Sequence, residues 1–198
     1  MFIIKKKYYL IIENTKDIKL NNIKKKNKFI IIYRNDKTKE KIDALYKFKA
    51  ACKNKKIELF IANDLKLALK VGSDGIYISA YNKNLKFNRY ISSKFKVIGS
   101  AHNFREISIK ERQGCTNIFL SRLFKTNYPY KNDFLGLIRF NLLKKNFQNC
   151  HLSPLGGIRF SNLNKIKHVN CSSFVILSEV KKSRLKYLAG FFKVVLNN

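Results

Sequence analysis

The 198-residue chain has no tryptophan, one methionine, two prolines, eight glycines and four cysteines. So few glycines and prolines, with no Ser-rich stretch and no tandem repeat, leave no room for a flexible linker or a low-complexity segment. Cys52, Cys115, Cys150 and Cys171 stand far apart with no CxxC pair. That spacing excludes a zinc ribbon and a disulfide framework and suits a reducing, cytoplasmic compartment. No apolar run approaches the roughly 18 residues of a membrane span, and Lys5, Lys6 and Lys7 interrupt the apolar start, so neither a span nor a signal peptide is expected. Acidic residues are also scarce: 12 against 42 Lys+Arg, a net charge of +30. With 45% hydrophobic and 13% aromatic residues the chain is nevertheless too apolar to be a disordered basic tail, and one domain spanning residues 1–198 is expected.

A charge of this size attracts anions and makes nucleic acid or acidic membrane surfaces the obvious partners. The cations are mostly the less specific kind. Eight are arginine (34, 89, 105, 112, 122, 139, 159 and 184), leaving 34 lysines spread along the whole chain. Arginine forks usually read phosphates and bases, whereas scattered lysine beside abundant Asn, Ile, Phe and Tyr is what A+T-rich codons yield. The lysines are therefore read as solvated surface. Nucleic acid is not expected as a specific partner, and a lysine-rich nucleic-acid or membrane-surface binder stands as the non-enzymatic alternative.

Eight short apolar runs read as strands: Tyr8–Ile12, Phe29–Tyr33, Glu58–Ala62, Gly75–Ile78, Phe95–Gly99, Asn117–Leu120, His151–Leu155 and Ser173–Leu177. Helical spacing recurs between them, at Thr38–Cys52, Leu65–Lys70, Asn103–Gln113, Leu137–Phe147, Asn162–Lys167 and Leu185–Leu196, with short or irregular links after strands one and four. Runs that are apolar throughout, not alternately, belong in a parallel sheet covered on both faces. Eight such units predict an α/β fold, a single (β/α)8 TIM barrel with shortened helices after strands one and four; an open doubly wound sheet is the alternative.

Barrel chemistry sits at the carboxyl ends of the strands. Arg34, Asn63, Asp64, Ser79, Ser100, His102, Gly156, Gly157 and Ser178 fall there, and the longest loop, Ser121–Gly136, carries Arg122, Lys125, Thr126, Lys131 and Asp133. Gly156-Gly157, with Ser178 after strand eight, predicts a phosphate cup, the alternative being a tight turn. Asp64 suits either Mg²⁺ or the cap of a helix starting at Leu65. His102 suits acid/base work, anion binding or a cap; His151 and His168 have no partner spacing, and the cysteines read as core.

Six segments in chain order resemble the thiamine-phosphate synthase and thiazole tautomerase superfamily (ThiE/TenI): Ile-Tyr-Arg-Asn at 32–35, Phe-Ile-Ala-Asn-Asp at 60–64, Gly-Ser-Asp-Gly-Ile-Tyr-Ile-Ser at 72–79, Ile-Gly-Ser-Ala-His at 98–102, Leu-Gly-Gly-Ile at 155–158 and Ile-Leu-Ser at 176–178. The resemblance implies that a hydroxymethylpyrimidine pyrophosphate loses pyrophosphate with Mg²⁺ assistance and that a thiazole phosphate captures the resulting cation through its ring nitrogen. It assigns the pyrophosphate to Arg34 and Asn63, Mg²⁺ to Asp64 and the pyrimidine to Ser100. The thiazole phosphate falls to Thr126, Gly157 and Ser178, with Gly156 in the same turn and Lys131 within reach.

The family pattern is altered at three places; the loop after strand six lacks Pro-Thr-x-Thr-Lys, and Lys125-Thr126-Asn127-Tyr128-Pro129 keeps only the first Thr. Gln-x-Arg-x-Lys after strand two is here Ile32-Tyr33-Arg34-Asn35-Asp36, and the stretch bearing a second Mg²⁺ carboxylate is Ser79-Ala80-Tyr81-Asn82. One phosphate cation and one metal ligand are thus missing, and an acid at 36 opposes a pyrophosphate. The tautomerase branch needs neither Mg²⁺ nor pyrophosphate and moves a proton with a His after strand five, the place of His102. Synthase activity is expected from the retained Asn63-Asp64 pair, with a tautomerase or a degenerate phosphate-binding barrel as alternatives.

Overall fold

A computed structural model describes residues 7–23, 28–35, 40–90, 95–126 and 133–176. Eight parallel strands close into a barrel in chain order: β1 (Lys7–Ile12), β2 (Phe29–Tyr33), β3 (Glu58–Ala62), β4 (Gly75–Ile78), β5 (Lys96–Ala101), β6 (Asn117–Ser121), β7 (His151–Leu155) and β8 (Ser173–Ile176). The seam is made by β1 and β8, paired from Lys7↔Ser173 to Leu10↔Ile176.

The uniformly apolar strands are explained by their two covered faces. In β2 all five residues are buried. Ile30 and Ile32 join Tyr9, Ile11, Phe60, Tyr77, Ile98, Phe119, Leu155 and Val175 inside the barrel, while Phe29, Ile31 and Tyr33 belong to the layer under the helices. Each such side chain contributes about 1.5–3 kcal/mol of burial. The amino-terminal part of the interior is polar and internally satisfied. Asn117 donates to the Tyr9 hydroxyl at 2.9 Å, Ser153 donates to Asn117 at 2.8 Å, and the Ser153 and Ser173 hydroxyls are bonded to each other.

The helices are α1 (Ile42–Asn54), α2 (Leu65–Val71), α3 (Phe104–Arg112), α4 (Gly136–Asn146) and α5 (Leu163–Ile166). In keeping with the shortened helices expected after strands one and four, the described residues of the links after β1 and β4 form no α-helix. Short 3-10 turns at Thr15–Asp17 and Leu20–Asn22 follow β1, and one at Leu85–Tyr90 follows β4. The first link buries Ile18, Leu20 and Ile23, a spacing no single α-helical stripe supplies.

Several boundaries differ from the sequence expectation. Helix α1 begins at Ile42 and buries Leu45, Phe48 and Cys52, leaving Tyr46 on the exposed side. Helix α5 is a single turn. Strand β5 runs through Ser100 and Ala101 because the ladder to β6 continues, Ser100 opposite Phe119 and Ala101 opposite Leu120. Ser100 is therefore a strand residue and not part of the following loop. The helix expected at Leu185–Leu196 lies outside the described residues, as do Asp36, Lys131 and Ser178. Among the described residues no helix is long and apolar enough to cross a membrane. All four cysteines are buried, as expected of core residues.

Candidate functional site

At the carboxyl end of β3, Asn63 adopts φ +59, a left-handed conformation that Asn tolerates better than most residues. Its backbone N–H donates to the Tyr77 carbonyl at 2.8 Å, turning the side chain toward the link after β4. There its amide nitrogen donates to the Ser79 hydroxyl at 2.8 Å and the Tyr81 hydroxyl at 2.9 Å, and its amide oxygen accepts from the Ser79 N–H at 2.9 Å. Both amide hydrogens of Asn63 are thus engaged. Tyr81 is 66% exposed, and its hydroxyl, which accepts from Asn63, keeps its own hydrogen to offer outward. Tyr81 is a candidate ligand group that the motif reading passed over as filler.

Asp64 follows at once as the N-cap of α2, one carboxylate oxygen accepting from the Leu67 N–H at 2.9 Å. The exposed carboxylate keeps its second oxygen for another partner. Among the described residues no group of three His, Cys, Asp or Glu side chains is placed to hold a metal. A single carboxylate with one oxygen given to the helix cap would suit Mg²⁺ only with substrate phosphates and water completing the shell.

Arg34 stands just beyond β2, half-buried, with its N–H bonded to the Ile12 carbonyl at 2.8 Å. Ser100 is buried inside the barrel and accepts a 2.8 Å bond from the Tyr77 hydroxyl, which fixes it below the rim. His102 is exposed beyond β5. Its Nδ1 lies 3.0 Å from Glu106 Oε2, and the same carboxylate oxygen accepts the His102 N–H at 2.8 Å. Asn103 caps α3 by accepting from the Glu106 N–H.

The loops after β6 and β7 meet closely. Gly156 and Gly157 have φ +93 and +69, and a Cβ on Gly157 would lie 2.4 Å from the Phe124 carbonyl oxygen. Glycine at 157 is required by this backbone-to-backbone approach as well as by the turn. The stem of Arg122 lies beside Gly156, and its guanidinium Nη1 donates to Thr126 Oγ1 at 3.2 Å. Arg122, Thr126 and the Gly156-Gly157 turn thus form one cluster at the rim. Arg122 was noted in the sequence as a loop cation; its place directly after β6 was the signal that it stands with Thr126 at the rim.

A second missed residue is Lys110 of α3, which is fully buried. Its ammonium donates to the carbonyls of Ser79 at 2.8 Å and Asn82 at 2.7 Å and to the Gln113 side-chain oxygen at 2.9 Å. Burial pulls its pKa down to about 8, with Cys115 and Glu106 opposing that shift. Gln113 in turn donates to the carbonyls of Asn82 at 3.0 Å and Asn84 at 2.8 Å.

The opposite end of the barrel holds a cavity of about 290 Å³ lined by Lys7, Tyr9, Glu58, Lys96, Asn117 and His151, among others. It shares no residue with the strand-end site. At its edge Lys7 and Lys96 both pair with Glu58, at 3.0 and 2.8 Å. Burial of Glu58 opposes ionisation, and the two ammonium groups outweigh it and hold the carboxyl below its ordinary range.

A closed barrel of eight parallel strands, with Arg122, Thr126 and the Gly156-Gly157 turn clustered at the carboxyl ends of β6 and β7, is a (β/α)8 protein whose candidate site lies at the end where such barrels carry their chemistry. The family model for thiamine monophosphate synthase matches residues 2–180, and the chain belongs to that family. It is 30% identical over 179 residues to a thiamine-phosphate synthase of Clostridium perfringens, covering 87% of this chain and 82% of that protein. A thiamine-phosphate synthase of Prochlorococcus marinus is 30% identical over 134 residues, 67% of this chain. The match spans 38% of that longer relative. Among solved structures, a thiamine phosphate pyrophosphorylase from Pyrococcus furiosus shares the fold with a TM-score of 0.75 at 14% identity, over 98% of this chain and 96% of that one.

Proposed function

We propose that the chain joins a hydroxymethylpyrimidine pyrophosphate to a thiazole phosphate, releasing pyrophosphate and forming thiamine phosphate. The observation that carries this reading is the contact between the loops after β6 and β7, which sets the Arg122 guanidinium, the Thr126 hydroxyl and the Gly156-Gly157 backbone side by side. A guanidinium with an adjacent hydroxyl suits the monoester phosphate of a thiazole. Arg34 and the Asn63–Tyr81 pair hold the pyrophosphate, and Ser100, lower in the barrel, faces the pyrimidine. Lys131 and Ser178 would complete the thiazole-phosphate cup.

The chemistry needs no protein nucleophile. The C–O bond to pyrophosphate breaks, the thiazole nitrogen donates its electron pair to the exposed methylene carbon, and the pyrophosphate carries away the electrons of the broken bond. Rate enhancement then comes from holding the two rings in line and stabilising the leaving pyrophosphate. Mg²⁺, when bound, neutralises part of that charge, and Asp64 is the residue that would hold it. Arg122 partly offsets the missing cation after β2, though from the thiazole side.

Incubation with both authentic substrates and Mg²⁺ tests the reading: thiamine phosphate is expected, and no product at high protein concentration overturns it. One observation favours a second reading. The His102–Glu106 pair leaves Nε2 of the ring pointing away from the carboxylate, an arrangement suited to proton transfer in a thiazole tautomerase. That reading requires His102→Ala to abolish aromatisation of the thiazole phosphate, and retained turnover excludes it.

A further inference from the structure

The link after β4 is gripped from both sides. On the barrel side it holds Asn63 through Ser79 and Tyr81, and on the outer side its carbonyls at Ser79, Asn82 and Asn84 receive Lys110 and Gln113 of α3. A lysine with no surface exposure, bonded to two main-chain carbonyls and an amide oxygen and to no carboxylate, is a costly arrangement in a chain whose other lysines are largely solvated. The barrel wall makes room for it. Gly99 of β5 faces α3, and a Cβ there would lie 2.9 Å from Lys110 Cδ and 2.8 Å from Cys115 Sγ.

We propose that Lys110, assisted by Gln113, is a positioning residue that sets affinity for the pyrophosphate-bearing substrate by fixing the link after β4 and, through it, the amide of Asn63 and the hydroxyl of Tyr81. The route is continuous. Lys110 holds the Ser79 carbonyl, Ser79 bonds both polar atoms of the Asn63 amide, and Tyr81 completes the set. The inference rests on the reading that the Asn63 corner binds pyrophosphate. Without the clamp, the Tyr81 hydroxyl that Asn63 holds in place is no longer pre-organised as a donor and must be ordered at the moment of binding.

Two variants separate positioning from the field of a lost charge. Lys110→Met removes the ammonium; Gln113→Leu removes amide bonds to the same link without changing charge and carries the test if Lys110→Met does not fold. Both are expected to weaken binding of inorganic pyrophosphate, by about tenfold for Lys110→Met and about threefold for Gln113→Leu, with the affinity for thiazole phosphate unchanged. Equal loss for both ligands, or loss in Lys110→Met with none in Gln113→Leu, overturns the proposal. Side-chain amide resonances of Asn63 and hydrogen exchange at the Ser79 N–H provide a readout independent of ligand. Faster exchange at Ser79 in either variant is expected, and unchanged protection overturns the clamp. If the parent protein fails to bind pyrophosphate while the exchange result holds, the substrate reading fails and the clamp survives.

Discussion

Gly157 sits where any side chain would strike the Phe124 carbonyl, so a substitution there reports on loop packing before it reports on phosphate. Arg122 is the cleaner probe, because its guanidinium acts at the rim. Arg122→Met keeps the stem beside Gly156 and removes the charge; the KM for thiazole phosphate is expected to rise about tenfold, with the thermal midpoint nearly unchanged. Steady-state kinetics beside a thermal melt checks both halves. Lys110 makes a prediction of its own. Its folded pKa of about 8 lies below the ordinary 10.5, so between those values the folded chain binds fewer protons than the unfolded one. Stability attributable to Lys110 must therefore rise with pH across that window. Denaturant unfolding at about pH 7.5 and about pH 10 should move the difference between the parent protein and Lys110→Met in the parent's favour, and a flat difference would place the ammonium in water. Little of this was visible in composition, which reads lysine as surface. The missed signal was local: Lys110 shares the buried stripe of α3 with Ile107 and faces Gly99.

At the level of elements, Asp64 links helix capping to the proposed chemistry, and two substitutions divide those roles. Asp64→Asn keeps a capping oxygen for the Leu67 N–H and should leave stability almost unaltered, whereas Asp64→Ala should cost about 1 kcal/mol. If the carboxylate also serves Mg²⁺, Asp64→Asn loses Mg²⁺-dependent turnover at an unchanged denaturation midpoint. The eight strands were legible because each is a short, mostly apolar run, even where β6, β7 and β8 place Asn117, Ser153 and Ser173 inside the barrel, and the α2 and α3 starts because Asp64 and Asn103 are good caps. The end of β5 was not. Gly99 reads as the last residue of the strand and Ser100 as the start of the loop, but pairing with β6 carries the strand two residues further and turns Ser100 inward toward Tyr77. The site was legible by position more than by partner. Loop ends located Asn63, His102 and Gly157, while the partners that engage them, Ser79 with Tyr81, Glu106, and the Phe124 carbonyl, come from the three-dimensional approach of separate links.

For the whole molecule, a charge of +30 works against compactness through self-repulsion. Raising NaCl from about 0.05 to about 0.5 M should raise the thermal midpoint by a few degrees, the reverse of what a chain held together by surface ion pairs would show. Described ion pairs such as Lys7–Glu58–Lys96 are partly exposed and contribute little against that trend. The polar layer in the barrel carries a consequence for biosynthesis. Asn117 donates to the hydroxyl of Tyr9, 108 positions earlier, and Ser153 joins Asn117 to Ser173. During synthesis β1 thus meets its hydrogen-bonding partner in β6, and its ladder to β8, only after the strands between them have been made. Until β8 emerges, the edge of β1 and the hydroxyls of Tyr9 and Ser153 face water or a chaperone. A translation pause before residue 173 would leave an open, strand-edged intermediate in place of a barrel.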